Sequence, residues 1–141
     1  MTPIQPYLFF GGRCAEALAF YQRALGAQVE MKMLFSESPD KPPPGMVPAG
    51  WEGKVMHSSL RIGDSVIMAS DGTSATEKSS NVSLSLTCKG NAEVDKLYDA
   101  LCEGGGRKDM PPGKTFWSPY FGMLTDRFGI GWMLGVQHDG S

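Results

Sequence analysis

The chain is poor in the features that announce a chemistry. It has only two histidines, His57 and His138. A Ser-His-Asp constellation therefore has His57 alone to build on, and no serine stands out as its partner. His138, near the C-terminus, reads as exposed and idle. There are three cysteines, Cys14, Cys88 and Cys102, an odd number with no C-x-x-C pair. Cys14 and Cys102 fall on helix-patterned positions, so small buried thiols in a reducing compartment are expected. No histidine lies near in sequence to activate a thiol. No apolar run reaches the roughly 18 residues that a membrane-spanning helix needs. Net charge is −2 and charged residues make up 20%. No basic stripe points to nucleic acid, and no acidic tail points to a solvating role. The opening residues lack a charged region followed by an apolar stretch, so no signal peptide is expected and the cytoplasm is the expected compartment.

Several familiar motifs fail on inspection. Gly113-Lys114-Thr115 looks like the end of a phosphate loop, but the earlier glycine that loop requires falls on Lys108. No G-x-G-x-x-G opens a helix after a strand. A dinucleotide fold, or a methyltransferase that holds its cofactor at such a loop, gains no support. H-E-x-x-H and G-x-S-x-G are both missing.

What the sequence does contain is an internal echo. Ala15-Glu16-x-x-x-Phe20-Tyr21 and Ala92-Glu93-x-x-x-Leu97-Tyr98 share a pattern, and each opens an apolar, helix-periodic segment. Two copies of one supersecondary unit follow from that spacing, with a groove between them as the place for a ligand. A chain of 141 residues can bury about two thirds of its unfolded surface without staples.

The element pattern runs as follows. Residues 4–10 read as a strand and 13–25 as a helix that ends at Gly26. Residues 27–35 are β-like, with Val29, Met31, Met33 and Phe35 on one side. Residues 36–53 hold five prolines and read as a loop, either a lid or disordered. Residues 55–62 and 65–70 form a hairpin around Gly63-Asp64. On its first strand Met56, Ser58, Leu60 and Ile62 face the core. Val55, His57, Ser59 and Arg61 face a polar-lined groove. A strand at 82–87 follows, then a helix capped by Asn91 and running through Cys102. Short strands over 107–110, 117–125 and 132–136 complete the second unit. Each unit is thus β-α-β-β-β, the first over 1–72 and the second over 73–141.

These pieces together resemble the vicinal oxygen chelate superfamily, the glyoxalase, bleomycin-resistance and extradiol dioxygenase group, in its PhnB-like branch. The resemblance rests on Pro6-Tyr7-Leu8-Phe9-Phe10-Gly11-Gly12 before the helix and Leu25-Gly26-Ala27 after it. It rests also on Met56-His57 leading to Leu60-Arg61-Ile62-Gly63-Asp64, and on Ser70-Asp71. Thr115-Phe116-Trp117 and Asp126-Arg127-Phe128-Gly129-x-x-Trp132 complete the set. It implies an α+β fold in which two βαβββ modules form curved mixed sheets around a cup, helices outside. It also implies a homodimer. Some branch members carry the label of a demethylubiquinone methyltransferase, and nothing in these loops supports a methyl-donor site. Metal-dependent members place ligands at four inward positions. Here these fall at Pro6 or Gln5, near Met68 or Ser70, near Asn81, and at Met133. None is a strong ligand for a divalent ion, so no metal and no cofactor is expected.

The remaining residues point to a bound small molecule. His57 reads either as a satisfied histidine bonded to a loop or as a ligand contact and general base. Arg61 is expected to pair with a carboxylate such as Asp71, or else to hold an anionic ligand. Tyr7, Phe9, Trp117, Tyr120 and Trp132 sit near predicted groove positions. Each alone suits a core, and together they suit a flat or apolar molecule. Met31, Met33, Met68 and Met133 either line the same groove or fill the core. Turn chemistry accounts for Asp71 and Asp126. The expected ligand-binding set is Tyr7, Phe9, Ser59, Arg61, Met68, Trp117, Tyr120 and Met133, with His57 as the catalytic candidate. A small-molecule binder leads. A glyoxalase- or dioxygenase-type enzyme, or a metal-independent one using His57 as base, is the alternative, and a non-catalytic structural dimer is the third reading. Neither nucleic acid nor membrane is an expected partner.

Overall fold

The computed structural model describes residues 4–39, 45–76 and 82–137. The chain divides into two compact units, Met1–Ser79 and Ser80–Ser141. Both contain one helix and one four-stranded mixed sheet.

The first unit runs β1 (Tyr7–Phe9), α1 (Cys14–Leu25), β2 (Gln28–Leu34), β3 (Val55–Ile62) and β4 (Ser65–Ser70). Its sheet order is β1-β4-β3-β2. β2, β3 and β4 form an antiparallel meander, and β1 joins the edge parallel to β4. The helix forms where Cys14, Ala17, Leu18, Phe20, Tyr21 and Ala24 repeat at helical spacing, and all six are buried. It ends at Gly26, whose φ of 68° is left-handed and cheap only for glycine. Leu8, Leu60, Ile67 and Ala69 complete this core from the sheet.

The second unit repeats that topology. It runs β5 (Ser83–Cys88), α2 (Asn91–Cys102), β6 (Arg107–Gly113), β7 (Phe121–Thr125) and β8 (Gly131–Val136), ordered β5-β8-β7-β6. Val94, Tyr98 and Leu101 of α2 are buried, as are Leu124, Trp132 and Leu134 of the sheet. Asn91 is the first helical residue and Gly90 is the cap. Glu93 reaches back to the Lys89 N–H at 2.9 Å, so a carboxylate serves the helix start that Asn91 was expected to cap.

Bulges explain where the alternation pattern misleads. In β2, Val29 pairs with Leu60 but Met31 pairs with Ser59, so Glu30 is the extra residue. Val29 therefore leaves the face that carries Met31 and Met33. A second shift between Met33 and Leu34 accompanies a wholly buried Val55, which departs from the expected groove set. Phe35 begins a 3-10 turn and packs on Trp51, ring centroids 6.2 Å apart. The expected loop thus carries short 3-10 turns at Phe35–Glu37 and Trp51–Gly53. Its residues 40–44 lie outside the described residues, as do Asn81 and His138.

β6 runs through Pro111 and Pro112. It is an edge strand, so its prolines remove no ladder bond on the outer side. Residues 117–120, expected as strand, form a turn instead. Ser118 Oγ donates to the Val136 carbonyl at 2.7 Å and to the Tyr120 carbonyl at 3.0 Å. No helix among the described residues is long and apolar enough to cross a membrane.

Candidate functional site

Directly paired strand residues share a face, so register alone shows what each sheet presents away from its helix. On the first sheet one row runs Tyr7, Met68, Ser59, Met31 across all four strands. His57 pairs with Met33 in the next row. Tyr7 is 36% exposed and Met31 41%, while Leu8 on the opposite face is 3%. The row is thus an open, largely apolar strip with the Ser59 hydroxyl in its middle and the Tyr7 hydroxyl at one end.

Tyr7 and His57 form its polar end. The Tyr7 hydroxyl lies 3.2 Å from His57 Nδ1, and their rings are 5.7 Å apart. Phe9 stacks beside Tyr7 at 5.1 Å. The partner of His57 is therefore a strand tyrosine, not a loop. Nε2 of His57 and the Ser59 hydroxyl have no hydrogen-bond partner among the described residues. Arg61 shares this face, but its Nε donates to Glu30 at 2.7 Å. Asp71, its expected partner, is engaged elsewhere.

Asp71 is 1% exposed and its role exceeds turn chemistry. Its Oδ1 accepts the N–H groups of Gly12 and Cys14, at 2.8 and 2.7 Å, and its Oδ2 accepts Val55 N–H at 2.8 Å. It caps α1 from the far end of β4. Asp126 does hold the turn closed by Gly129, as expected, and also accepts Trp132 Nε1 at 2.9 Å. That bond, with 1% exposure, places Trp132 in the core.

The second sheet has its own open face. One row runs Ser85, Met133, Met123, Met110, and the next runs Thr87, Gly135, Phe121, Gly113. Trp117 stands over the latter row, edge-on to Phe121 at 5.2 Å. An open cleft of about 330 Å³ lies between Thr87 of β5 and the Trp117–Ser118 turn. Tyr120 points elsewhere: its hydroxyl donates to Asp95 of α2 at 2.7 Å, and that hydrogen bond holds its pKa above the usual phenol value. Met110, Met123, Phe121 and Gly135 were missed as site residues. Alternation in β7 and a glycine inside the β8 pattern were the available signals.

The bulges match between units. Glu30 precedes Met31, Asp109 precedes Met110, and both carboxylates take an arginine, Arg61 and Arg107 respectively. Arg61 and Arg107 are thereby neutralised by neighbours.

The cysteines are unsuited to nucleophilic work. All three are free. Burial, assisted by the Asp71 carboxylate, pushes the Cys14 thiol up to about 12. Burial and then Glu93 push Cys88 up to about 11. Thiolates are scarce at neutral pH in such surroundings.

A protein-family model described as 3-demethylubiquinone-9 3-methyltransferase matches residues 2–135. The chain belongs to this family. It is the PhnB-like branch of the vicinal oxygen chelate superfamily. Protein YjdN of Escherichia coli (strain K12) is 36% identical over 140 residues, covering 95% of each chain. The crystal structure of protein PA1353 from Pseudomonas aeruginosa is 40% identical, covers 99% of this chain and 100% of its own, and has a TM-score of 0.83. The PhnB protein from Bacillus cereus, described as a putative 3-demethylubiquinone-9 3-methyltransferase, is 25% identical over 96% of this chain and 99% of its own, with a TM-score of 0.77. A glyoxalase/bleomycin resistance/dioxygenase family enzyme from Burkholderia phytofirmans PsJN shares the fold at 18% identity, over 96% of each chain and at TM-score 0.60.

The superfamily implies a metal, and the family description implies a methyl donor. At the described positions the residues are a poor match for either, and Asn81, the third of the expected positions, lies outside the described residues. Pro6 adjoins β1, Met68 and Ser70 lie on β4, and Met133 lies on β8. A proline, two thioethers and a hydroxyl are poor donors for a divalent ion. No group of three His, Cys, Asp or Glu among the described residues is placed to hold one. The corner most like a cofactor loop is Gly11-Gly12, between β1 and α1. Its Gly12 N–H, and the first N–H of the helix, are already taken by Asp71.

Proposed function

We propose that this PhnB-like protein binds a small organic molecule against the open face of its first sheet. Tyr7, Met68, Ser59 and Met31 form the contact strip, and the Tyr7–His57 pair forms its polar end. The observation that carries the reading is this pair. It sets a histidine with an unpartnered Nε2 at the margin of an exposed, thioether-rich strip. Thioethers make an adaptable apolar surface, and one polar end gives orientation. Arg61 contributes little charge, because Glu30 neutralises it. Phe9 supports Tyr7 by stacking. Trp117 and Met133 belong to the second unit's face, where they extend the same kind of lining. A homodimer belongs to the proposal, supported by Phe116, which a single chain leaves 93% exposed. Three free thiols support a reducing, cytoplasmic setting.

A second reading is favoured by the same pair. With His57 Nδ1–H donating to the Tyr7 oxygen, the imidazole is oriented and Nε2 keeps the lone pair that can take a proton, which is the arrangement of a general base. The chain would then be a metal-independent enzyme.

The test is a titration of the purified protein with Nile red, a neutral dye that brightens in apolar surroundings. Saturable brightening, lost in Ser59→Trp and weakened at least about tenfold in Tyr7→Ala, is expected. Unchanged binding in both variants would remove the proposal. Native mass spectrometry of the purified protein would identify any retained molecule. With that molecule in hand, turnover separates the two readings: a binder returns it unchanged, whereas an enzyme converts it and His57→Ala abolishes the conversion.

A further inference from the structure

Each unit completes its sheet from its own strands, β1–β4 in the first and β5–β8 in the second. Neither sheet can close early in synthesis. In the first unit β1 pairs with β4, Tyr7 opposite Met68. The start of α1 waits longer still, for Asp71, whose carboxylate accepts the N–H groups of Gly12, Cys14 and Val55. The first unit therefore becomes foldable once Asp71 has left the ribosome. The second unit has the same strand order and topology. Two like units that emerge together compete for each other's strands, and such misassembly is the usual failure of repeat chains. A delay between them removes the competition.

β6 carries Pro111-Pro112-Gly113. Its pairing with β7 skips both prolines, passing from Met110–Met123 to Gly113–Phe121. Pro112 lies against Gly122, where an added Cβ would meet its Cγ at 3.1 Å. Pro111 is exposed, and the ladder makes no use of it. A proline can guard an edge strand against pairing with other chains, but one suffices for that. Two in succession act on synthesis. Gly113 is added when its amino nitrogen attacks the ester carbonyl of Pro112 on the transfer RNA. The amide C–N bond forms, the ester C–O bond breaks, and the amine's proton passes to the RNA hydroxyl. That attack needs the carbonyl in line with the amine. Two adjacent pyrrolidine rings fix φ at both residues and hinder the alignment.

The place of the slow step decides its meaning. The ribosomal exit tunnel, on the order of 100 Å long, shelters about 30 residues of extended chain. With Pro112 the last residue joined, those are roughly residues 80–112. The chain outside is then Met1–Ser79, which is the first unit. The earlier run, Pro42-Pro43-Pro44-Gly45, is read before Asp71 has been made and times nothing. We propose that Pro111-Pro112-Gly113 is a translational pause that lets the first unit fold before the second emerges. The partner that ends the pause is the translation factor that serves proline runs. The proposal is independent of what the open faces bind.

The experiment is translation of the full chain from purified components, with and without that factor. The template carries Pro43→Ala, so that ribosomes pass the earlier run. Without the factor, peptidyl-tRNA ending at Pro112 is expected to accumulate, and adding the factor clears it. Synonymous codons at 111–113 leave the accumulation in place, because the peptide chemistry causes it. The first unit of the stalled chain should survive thermolysin about tenfold longer than the same chain with Asp71→Ala, which cannot tie the helix start. Pro111→Ala, at an exposed position, abolishes the accumulation. It also lowers the soluble yield about twofold or more, although the purified variant keeps the wild-type urea midpoint. No accumulation at Pro112, or a stalled chain as protease-sensitive as its Asp71→Ala control, overturns the proposal. An undiminished yield of Pro111→Ala overturns it too and leaves the prolines as guards of an edge strand.

Discussion

The carboxylate of Asp71 accepts the backbone N–H of Cys14 at 2.7 Å, across a sequence separation of 57. One residue, directly after β4, thereby ties the end of that strand to the first turn of α1, and through Val55 N–H to the start of β3 as well. Asp71 is buried, so its removal leaves three inward N–H groups without acceptors. Each such group costs about 1–3 kcal/mol. Asp71→Ala is expected to lose on the order of 4 kcal/mol, read as a lower urea midpoint. Asp71→Asn, which keeps one acceptor oxygen, should lose about half as much. A loss under about 1 kcal/mol for Asp71→Ala would mean that solvent replaces the carboxylate.

Three buried groups hold their protons more tightly in the fold than outside it. Burial first, and nearby carboxylates second, push Cys14 up to about 12 and Cys88 up to about 11 from an ordinary 9.0. Burial likewise pushes Tyr98 up to about 12 from 10.0. The folded chain keeps protons that the unfolded chain begins to release near pH 9. The corresponding stability is therefore complete below pH 9 and is lost as pH rises towards 11 and 12. Urea midpoints should be flat from pH 7 to 8.5 and fall steadily above. Cys14→Ala should fall less steeply over that upper range. A wild-type curve with no alkaline decline would contradict the assignment.

The ion pair of Arg61 and Glu30, though only 2.7 Å long, is about 40% exposed on both sides. Water screens such a pair, and its net worth is ~1 kcal/mol or less. Glu30→Gln should thus leave stability nearly unchanged. Its effect belongs to charge: it frees a cation on the open face. An anionic dye that ignores the wild-type chain should bind Glu30→Gln, and 0.5 M salt should abolish that binding.

Much of this was legible in residue spacing, and what was not has identifiable causes. The hairpin 55–62 and 65–70 and the stop at Gly26 came from local rules, turn residues and period, which tertiary structure left intact. The side-chain alternation of β3 placed His57 and Ser59 on one face, because period 2 is a property of one strand. Which residues face each other across strands is set by bulges. Glu30 as an extra residue moved Val29 off its expected face, and no single-strand rule detects that. Partners distant in sequence were equally hidden. Asp71 beside Gly72 looks like a turn residue, and only the fold shows its three distant N–H donors. Tyr120 carries an aromatic at a groove-like position, yet its hydroxyl reaches Asp95. The expected strand stops at Met110, whereas β6 runs on through Pro111 and Pro112, and only the sheet order reveals an edge strand that tolerates them.

Six of the nine methionines lie on the open faces, Met31, Met33 and Met68 on the first sheet and Met110, Met123 and Met133 on the second. Oxidation converts a thioether into a polar, branched sulfoxide, which an apolar strip rejects. Met31 and Met46 are the most exposed described methionines, at 41% and 53%, so dilute peroxide should convert them first. Of the two, only Met31 lies on the proposed strip. Nile red binding should therefore fall in step with Met31 oxidation, measured by peptide mass spectrometry. Met46→Leu should follow the same course as wild type. Met31→Leu, which keeps an apolar side chain without sulfur, should bind the dye and resist the early loss. Full binding after complete Met31 conversion would place the dye elsewhere and remove Met31 from the contact strip.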